Sequence, residues 1–405
     1  MDELDDKWIG SFRTLSFEEA IDGISDHNGT LEKMDLSKSP GFGFSLLHHD
    51  KKGWLFYSLE ELKGAVEWAL HRNVTMGEVV LHFLKGSEKD EKRDMQRVID
   101  HKTRLFMAAS IVDVIISRML FGDYVRKFIH AGKNLGFYSA AGMEVYGGKW
   151  DAFVRHMTWN LLHAKIWPGD IAKYDKKFPQ SWHYADGRSL SRICTDVWAR
   201  PAIVRQFRAN SMAPCVLTIC GWVFIRPKDN PSGSLMTTVS NTRGVMRKLL
   251  RTWRVKLGPN ASLTEFFKHV RNKIIGDDLA LNLTPDCPIT YDDVIAEFGK
   301  NGWEMAIPDG CTCHLDDSFF AGRRSILAQC GGVEIFLPVI DQDRILAINE
   351  FRKGKKDDIK RLMRAYAAVE LSFPLLFEDG NHLFAVLYDY FLSLIRTALR
   401  EEHWP

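Results

Sequence analysis

The chain has 405 residues, of which 45% are hydrophobic and 26% are charged. This composition is typical of a globular protein with a sizeable core and two or three subdomains, and it excludes a disordered chain. The net charge is only +2, so the placement of the basic residues is more informative than their number. The seven cysteines are odd in number and scattered, which excludes a disulfide framework.

The sequence shows no N-terminal signal peptide, and its longest apolar stretch is not a membrane span. Met1 is followed by the acidic segment DELDDKW, whereas a signal peptide begins with a basic and then an apolar segment. The longest apolar stretch, LFMAASIVDVIISRMLFG from Leu105, is interrupted by Asp113 and Arg118, so it is predicted to form a buried helix. These features predict a protein that stays in a reducing cytoplasm.

Basic residues are dense just before that helix, in KDEKRDMQRVIDHKTRLF at residues 89–106. Arginine and lysine at this density bind phosphate groups through charge-assisted hydrogen bonds. Acidic residues in the same segment keep its net charge small. A salt-bridge network on the surface is therefore the alternative interpretation.

Two carboxylates follow a short apolar strand in KIWPGDIAKYDKKFP, residues 165–179. Asp170 stands where that strand ends, which is an expected place for a metal ligand, and Asp175 comes five residues later. Capping of the following helix is the alternative for both acids, and it suits Asp175 better than Asp170.

A flexible loop and a helix are predicted next, in DNPSGSLMTTVSNTRG at residues 229–244. Thr237 and Asn241 are four residues apart, so both project from one helix face, where a hydroxyl and a carboxamide suit recognition of a ribose. The helix continues through residues 243–256 with six basic residues and no acidic one. This basic face and a second basic block at residues 352–364 favour a polyanionic partner, although a solvated basic face is the alternative.

A hairpin with two adjacent carboxylates at its tip is predicted in NKIIGDDLALNL, residues 272–283. Leu279, Leu281 and Leu283 recur with period two, as in a strand that is half buried in a sheet. The loop is predicted to contain Gly276, Asp277 and Asp278. An ordinary Gly-Asp turn is the alternative, but adjacent carboxylates stay ionised more readily when a hard divalent metal lies between them. A third carboxylate is then needed for two Mg²⁺ ions, and Asp170 supplies it.

A zinc site at Cys311, Cys313 and His314 is a weaker hypothesis, because no second ligand pair accompanies it.

Taken in chain order, six segments resemble the motifs of the RNA-dependent RNA polymerases of picorna-like positive-strand RNA viruses. These segments are SPGFGFS, KDEKR with KTRLF, GDIAKYD, NPSG with Thr237 and Asn241, IIGDD, and DDSFFAGRR. The resemblance implies an α+β, right-hand polymerase fold with fingers, a palm that contains an antiparallel sheet, and a thumb. It places the fingers at residues 1–150 and 185–228, the palm at 151–184 and 229–337, and the thumb at 338–405.

The resemblance also implies roles for individual residues. Asp170, Asp277 and Asp278 would bind two Mg²⁺ ions, for which Mn²⁺ can substitute. The ribose 2′-hydroxyl would be recognised by Asp175 and Asn241. The implied nucleotide-binding set as a whole is Asp175, Ser232, Gly233, Thr237, Asn241, Lys89, Arg93, Lys102 and Arg104. The implied RNA-binding set is Ser39, Pro40, Gly41, Phe320, Arg323 and Arg324. The basic helix at residues 243–256 and the block at 352–364 then become candidates for contacting template and product backbones.

The chain departs from the family pattern in two places. The template motif begins near residue 39, earlier than is usual, so the fingers are expected to be trimmed and Met1 to be a fragment start. In IAEFGKNGWEMAIPDGCTCH, Asp309 and Gly310 stand where relatives place a lysine general acid. Lys300 is therefore predicted to be the catalytic acid, and His314 is the alternative.

The resemblance implies template-directed RNA synthesis from ribonucleoside triphosphates, which replicates a viral RNA genome by a two-metal mechanism. The alternatives are a reverse transcriptase-like polymerase and a catalytically inactive RNA-binding scaffold with the polymerase fold. Expected partners are an RNA template and primer, a protein primer and other viral replication proteins. The short segment after Pro338 favours a protein or oligonucleotide primer. The expected location is the cytoplasm of the infected host cell, at membrane-associated replication sites reached through partners.

Overall fold

The structure of the protein is a computed structural model that describes most of the chain up to residue 340. The described residues are 1–88, 99, 105–146, 148–159, 166–172, 174–217, 220–225, 230–306 and 320–340, with isolated helical positions between 367 and 396. Of Asp170, Ala306 and Cys330 only the backbone is described. Several predictions fall outside the described residues, namely those on Lys89, Arg93, Lys102, Arg104, Cys311, Cys313, His314 and residues 352–364.

The described part of the chain is a mixture of helices and mainly antiparallel strands, with one parallel pair between residues 84–86 and 215–217, and it is consistent with an α+β fold. Its α-helices are α1 (Asp2–Trp8), α2 (Phe17–Asp22), α3 (Lys51–Tyr57), α4 (Leu59–Val74), α5 (Ile111–Gly132), α6 (Lys149–Met157), α7 (Gln180–Ile193), α8 (Arg200–Met212), α9 (Thr237–Leu257), α10 (Leu263–His269) and α11 (Tyr291–Gly299). Its strands are β1 (Ile24–Asp26), β2 (Gly29–Leu31), β3 (Leu84–Glu88), β4 (Leu105–Ala108), β5 (Trp167–Ala172), β6 (Cys215–Leu217), β7 (Val223–Phe224), β8 (Val270–Ile275), β9 (Asp278–Leu283), β10 (Glu304–Ala306), β11 (Arg323–Cys330) and β12 (Val333–Ile340).

A four-stranded sheet with the order β10-β5-β9-β8 forms the centre of the fold. All its strand pairs are antiparallel, and β8 and β9 form the predicted hairpin. Leu279 and Leu281 face the main core, whereas Ala280 packs into a second apolar cluster with Trp150 and Phe153. The prediction of half-buried strands is therefore wrong for β9, because helices cover both faces of the sheet.

The predicted buried helix begins later than its apolar sequence does. Ser110 caps α5 by accepting a hydrogen bond from the backbone N–H of Asp113 at 3.1 Å, so the helix starts at Ile111. The preceding residues form β4, which pairs with β3 in a second sheet of order β4-β3-β6-β7. No helix among the described residues is long and apolar enough to cross a membrane.

Candidate active site

The turn between β8 and β9 carries the paired aspartates. The last strand pair joins Ile275 and Asp278, so the turn contains two residues, Gly276 and Asp277, rather than the predicted three. Gly276 has a φ of +66°, a conformation that a residue with a side chain rarely adopts. Asp277 and Asp278 are half buried at this tip. The hairpin thus presents two adjacent carboxylates at one end of the central sheet.

The backbone of Asp170 lies at the same end of the sheet. On one side β5 pairs with β9, with Gly169 opposite Leu279, so one further step in this register brings Asp170 opposite Asp278. On its other side Asp170 pairs with Ala306 of β10. The predicted strand end is in fact two residues further on, at Ala172.

The donor chemistry at this end of the sheet fits magnesium. Three carboxylate-bearing positions, Asp170, Asp277 and Asp278, meet on neighbouring strands, and hard divalent cations prefer oxygen ligands of this kind. These three positions come from two distant parts of the chain, yet their backbones lie near one another, and their side chains are the ones that would hold the two ions.

Asp175 and Asn241 are in direct contact, although they are far apart in sequence. The side-chain amide of Asn241, on α9, donates to Asp175 Oδ1 at 2.5 Å. Asn230 Nδ2 in turn donates to Asn241 Oδ1 at 2.7 Å and fixes the orientation of that amide. Asp175 begins a short 3₁₀ helix after β5 and is not its N-cap, so the alternative that it caps the following helix does not hold. The sequence analysis did not single out Asn230, whose position directly before the Pro-Ser-Gly loop was the available signal.

The Pro-Ser-Gly loop ties α9 to the second sheet. Ser232 Oγ accepts a hydrogen bond from the backbone N–H of Met107 in β4 at 3.1 Å. A Cβ atom on Gly233 would lie 2.0 Å from the carbonyl oxygen of Met107, so only glycine fits this approach. Thr237 donates through Oγ1 to the carbonyl of Ser234 at 2.9 Å and closes the loop onto the start of α9. The predicted nucleotide-binding residues of this segment thus lie beside β4 of the second sheet.

The first three basic residues of α9, Arg243, Arg247 and Lys248, are largely internal, so the prediction that the basic helix contacts RNA is wrong for these three. Arg243 is 0% exposed. Its Nε donates to Asp186 Oδ1 and its Nη1 donates to Asp5 Oδ1, both at 2.6 Å. Arg247 also donates to Asp186, and Lys248 is buried against Glu297. These cations hold α1, α7 and α11 against α9.

The later basic residues of the helix, Arg254 and Lys256 as well as Arg251, are exposed. Of these three, Arg251 lies on the same helix face as Arg243 and Arg247. Its side chain is 63% exposed, and its Nε lies 2.9 Å from Glu297 Oε1. It therefore remains accessible to a polyanion.

Lys300 lies at the C-terminal end of α11. Its ammonium group donates to Glu297 Oε2 at 2.8 Å, and the same carboxylate also bonds Lys248 and Arg251. The side chain of Lys300 is 55% exposed, and the role of Lys300 as an acid stays a prediction.

The predicted template and primer contacts divide into accessible and buried positions. Pro40 and Gly41 are buried against the start of α5, where the Pro40 carbonyl accepts from the N–H of Ile111 at 2.7 Å. Ser39 is half buried. Phe320 is 3% exposed and stacks on Phe153, so its ring anchors the turn before β11. The prediction that Phe320 contacts RNA is therefore wrong.

Arg323 and Arg324 begin β11 and are half buried. Arg323 donates to the carbonyl of Ala321 at 3.3 Å. Both stay candidates for the primer contact.

The central sheet is antiparallel and is flanked by helices. It bears an acidic turn at one end, and a neighbouring strand carries a third aspartate. This arrangement defines a polymerase of the right-hand class. The chain belongs to the viral RNA-dependent RNA polymerase family, whose model matches residues 10–375. This match confirms the predicted membership in the viral RNA-dependent RNA polymerase family.

Individual relatives are viral polyproteins. The chain is 23% identical to the genome polyprotein of Peanut mottle virus (strain M) over 417 residues, which cover 98% of this chain and 12% of the polyprotein. It is 24% identical to that of Zucchini yellow mosaic virus (strain Singapore) over 277 residues, or 67% of this chain and 8% of the polyprotein. The chain thus spans a small part of the curated relatives it matches.

A solved structure shows the same fold. The Sicinivirus 3Dpol RNA dependent RNA polymerase matches with a TM-score of 0.69 and 19% identity, over 98% of this chain and 84% of that chain. The predicted right-hand α+β fold is confirmed.

Proposed function

We propose that the chain extends an RNA primer along an RNA template by two-metal nucleotidyl transfer from ribonucleoside triphosphates. The observation that carries the proposal is that the backbone of Asp170 in β5 lies beside the β8–β9 turn, which bears Asp277 and Asp278, at one end of the sheet. When bound there, two Mg²⁺ ions would lower the pKa of the primer 3′-hydroxyl and stabilise the pyrophosphate leaving group.

The protein's own residues would bind and orient the nucleotide. The contact between Asp175 and Asn241 presents a carboxylate and a carboxamide together, which suits recognition of a ribose 2′-hydroxyl. A reverse transcriptase-like activity is disfavoured by the same pair, because its polar groups would lose their partner with a deoxynucleotide. Accessible arginine such as Arg251 suits sequence-independent contact with an RNA backbone.

The test is primer extension on a defined RNA template with Mg²⁺ or Mn²⁺. Asp277→Asn and Asp170→Asn should each reduce incorporation more than a hundredfold, a loss of about 3 kcal/mol of transition-state stabilisation. RNA affinity should stay close to that of the parent, because metal ligands rather than phosphate contacts are removed. A variant that extends the primer at a near-parental rate would contradict the metal assignment. RNA binding without incorporation by the parent would favour the inactive scaffold.

We further propose that the protein works with other viral replication proteins and a protein primer, at membrane-associated sites in the cytoplasm of the host cell. The polyprotein relatives support this proposal, since in them the matched region is joined to other viral sequence. Fractionation of infected cells should recover the protein with membranes. Recovery in the nuclear fraction alone would contradict the proposal.

A further inference from the structure

The turn that carries Asp277 is attached to α9 by one side chain. Gly276 follows the last pair of the β8 and β9 ladder, so its N–H has no partner within the hairpin. It donates instead to Thr242 Oγ1 at 3.0 Å. Because a buried backbone N–H without an acceptor is costly, this hydroxyl fixes the tip of the hairpin to the helix.

Thr242 comes directly after Asn241 on the same helix. The hydroxyl of Thr242 is fully buried, with the residue 0% exposed, and it acts on the turn after β8. The amide of Asn241 acts on Asp175, which follows β5. Two successive residues of one helix therefore hold the two loops that carry the nucleotide-reading and metal-binding carboxylates.

From this geometry we infer that Thr242 is a positioning residue, which holds the Asp277 turn in register with the Asp175–Asn241 pair. The inference rests on the proposed function and adds to it a residue that the sequence analysis did not identify. Loss of the hydroxyl would leave the ribose contact intact but release the tip of the hairpin. Small displacements of catalytic groups reduce turnover strongly, so the rate should fall while nucleotide affinity stays unchanged.

Thr242→Val removes the acceptor and keeps the shape of the side chain, whereas Thr242→Ser keeps the acceptor. Thr252→Val is the matched control, because Thr252 is buried on the same helix and its hydroxyl donates only to the Lys248 carbonyl, at 3.0 Å. Single-nucleotide incorporation on a primed RNA template gives the maximal rate and the apparent nucleotide dissociation constant. Hydrogen exchange of the peptide spanning residues 270–283 reports on the tether without requiring activity.

We expect Thr242→Val to lower the maximal rate about tenfold, because the half-buried Gly276 N–H loses its acceptor, with an unchanged dissociation constant. Exchange in the hairpin should become faster in this variant alone, while Thr242→Ser and Thr252→Val match the parent. Thr242→Ala provides the same comparison if valine prevents folding.

Parental rate and parental exchange in Thr242→Val would overturn the inference. So would an equal loss of rate in Thr252→Val, or a loss of nucleotide affinity without a loss of rate. If the parent incorporates no nucleotide, the proposed function fails. The role of Thr242 in holding the turn is then decided by hairpin exchange, which supports it only if Thr242→Val alone exchanges faster.

Discussion

Replacement of Arg243 by methionine should destabilise the protein strongly, although the residue lies in a run of basic residues that resembles an RNA-binding face. The guanidinium is fully buried and bonds four side chains, on Asp5, Asp186, Tyr124 and Ser189. Removing one partner from a buried ion pair leaves an uncompensated charge and costs about 3–5 kcal/mol. That is a large share of the roughly 5–15 kcal/mol by which a typical domain is stable.

The measurement is the free energy of unfolding from a denaturant titration followed by tryptophan fluorescence. Arg251→Met is the matched control on the same helix, because that side chain is 63% exposed and its loss should cost less than about 1 kcal/mol. RNA affinity of the folded Arg243→Met protein should equal that of the parent. A loss of stability no larger than that of Arg251→Met, together with weaker and less salt-dependent RNA binding, would refute the assignment of Arg243 to the core.

Four further predictions concern the site and its surroundings. Asp175→Ala and Asn241→Ala should each lower the ratio of ribonucleotide to deoxynucleotide incorporation. The parent site disfavours a deoxynucleotide because the polar groups that bind the 2′-hydroxyl are then left unpaired, and each variant removes one of those groups. An unchanged ratio in both variants would contradict the ribose-reading role. Gly233→Ala should slow incorporation, because the new Cβ would lie 2.0 Å from the Met107 carbonyl and must separate the loop from β4; a parental rate would show that the loop yields freely.

Lys300→Met should lower the rate of incorporation, while His314→Gln should leave that rate unchanged; the reverse result would reassign the acid to His314. Burial opposes ionisation of Asp186, but Arg247 and Arg243 outweigh that effect and hold its pKa below the ordinary value of 3.8. The ionised carboxylate of Asp186 therefore stabilises the fold above about pH 4, and that contribution is lost as the pH falls through the lowered pKa. Asp186→Asn should reduce this acid sensitivity. The measurement is the free energy of unfolding from denaturant titrations at several pH values.

Local patterns were sufficient to predict the hairpin and its carboxylates. The glycine, the paired aspartates and the alternating leucines lie within twelve residues, so the turn and both strands follow from short-range preferences. The burial of β9 on both faces could not be predicted in the same way. It depends on Trp150 and Phe153 of α6, which pack on Ala280 from a distant part of the chain.

The basic helix shows why the rest of the site could not be predicted. Helical periodicity places Arg243 and Arg247 on one face, but it does not reveal what covers that face. The partner Asp5 is 238 residues away in sequence, and Asp186 is 57 residues away. An isolated run of basic residues therefore looks like a surface patch, and only the tertiary contacts show that its first member is a core residue.

Three successive residues of α9 act on three different parts of the molecule. Asn241 contacts Asp175, Thr242 holds the Gly276 turn, and Arg243 bonds the core carboxylates of Asp5 and Asp186. Successive residues of a helix are about 100° apart around its axis, so the three side chains leave in three directions. Any rotation or shift of α9 must disturb all three contacts at once. The alignment of the nucleotide-reading pair with the metal-binding turn is therefore as rigid as the buried ion pairs that anchor the helix.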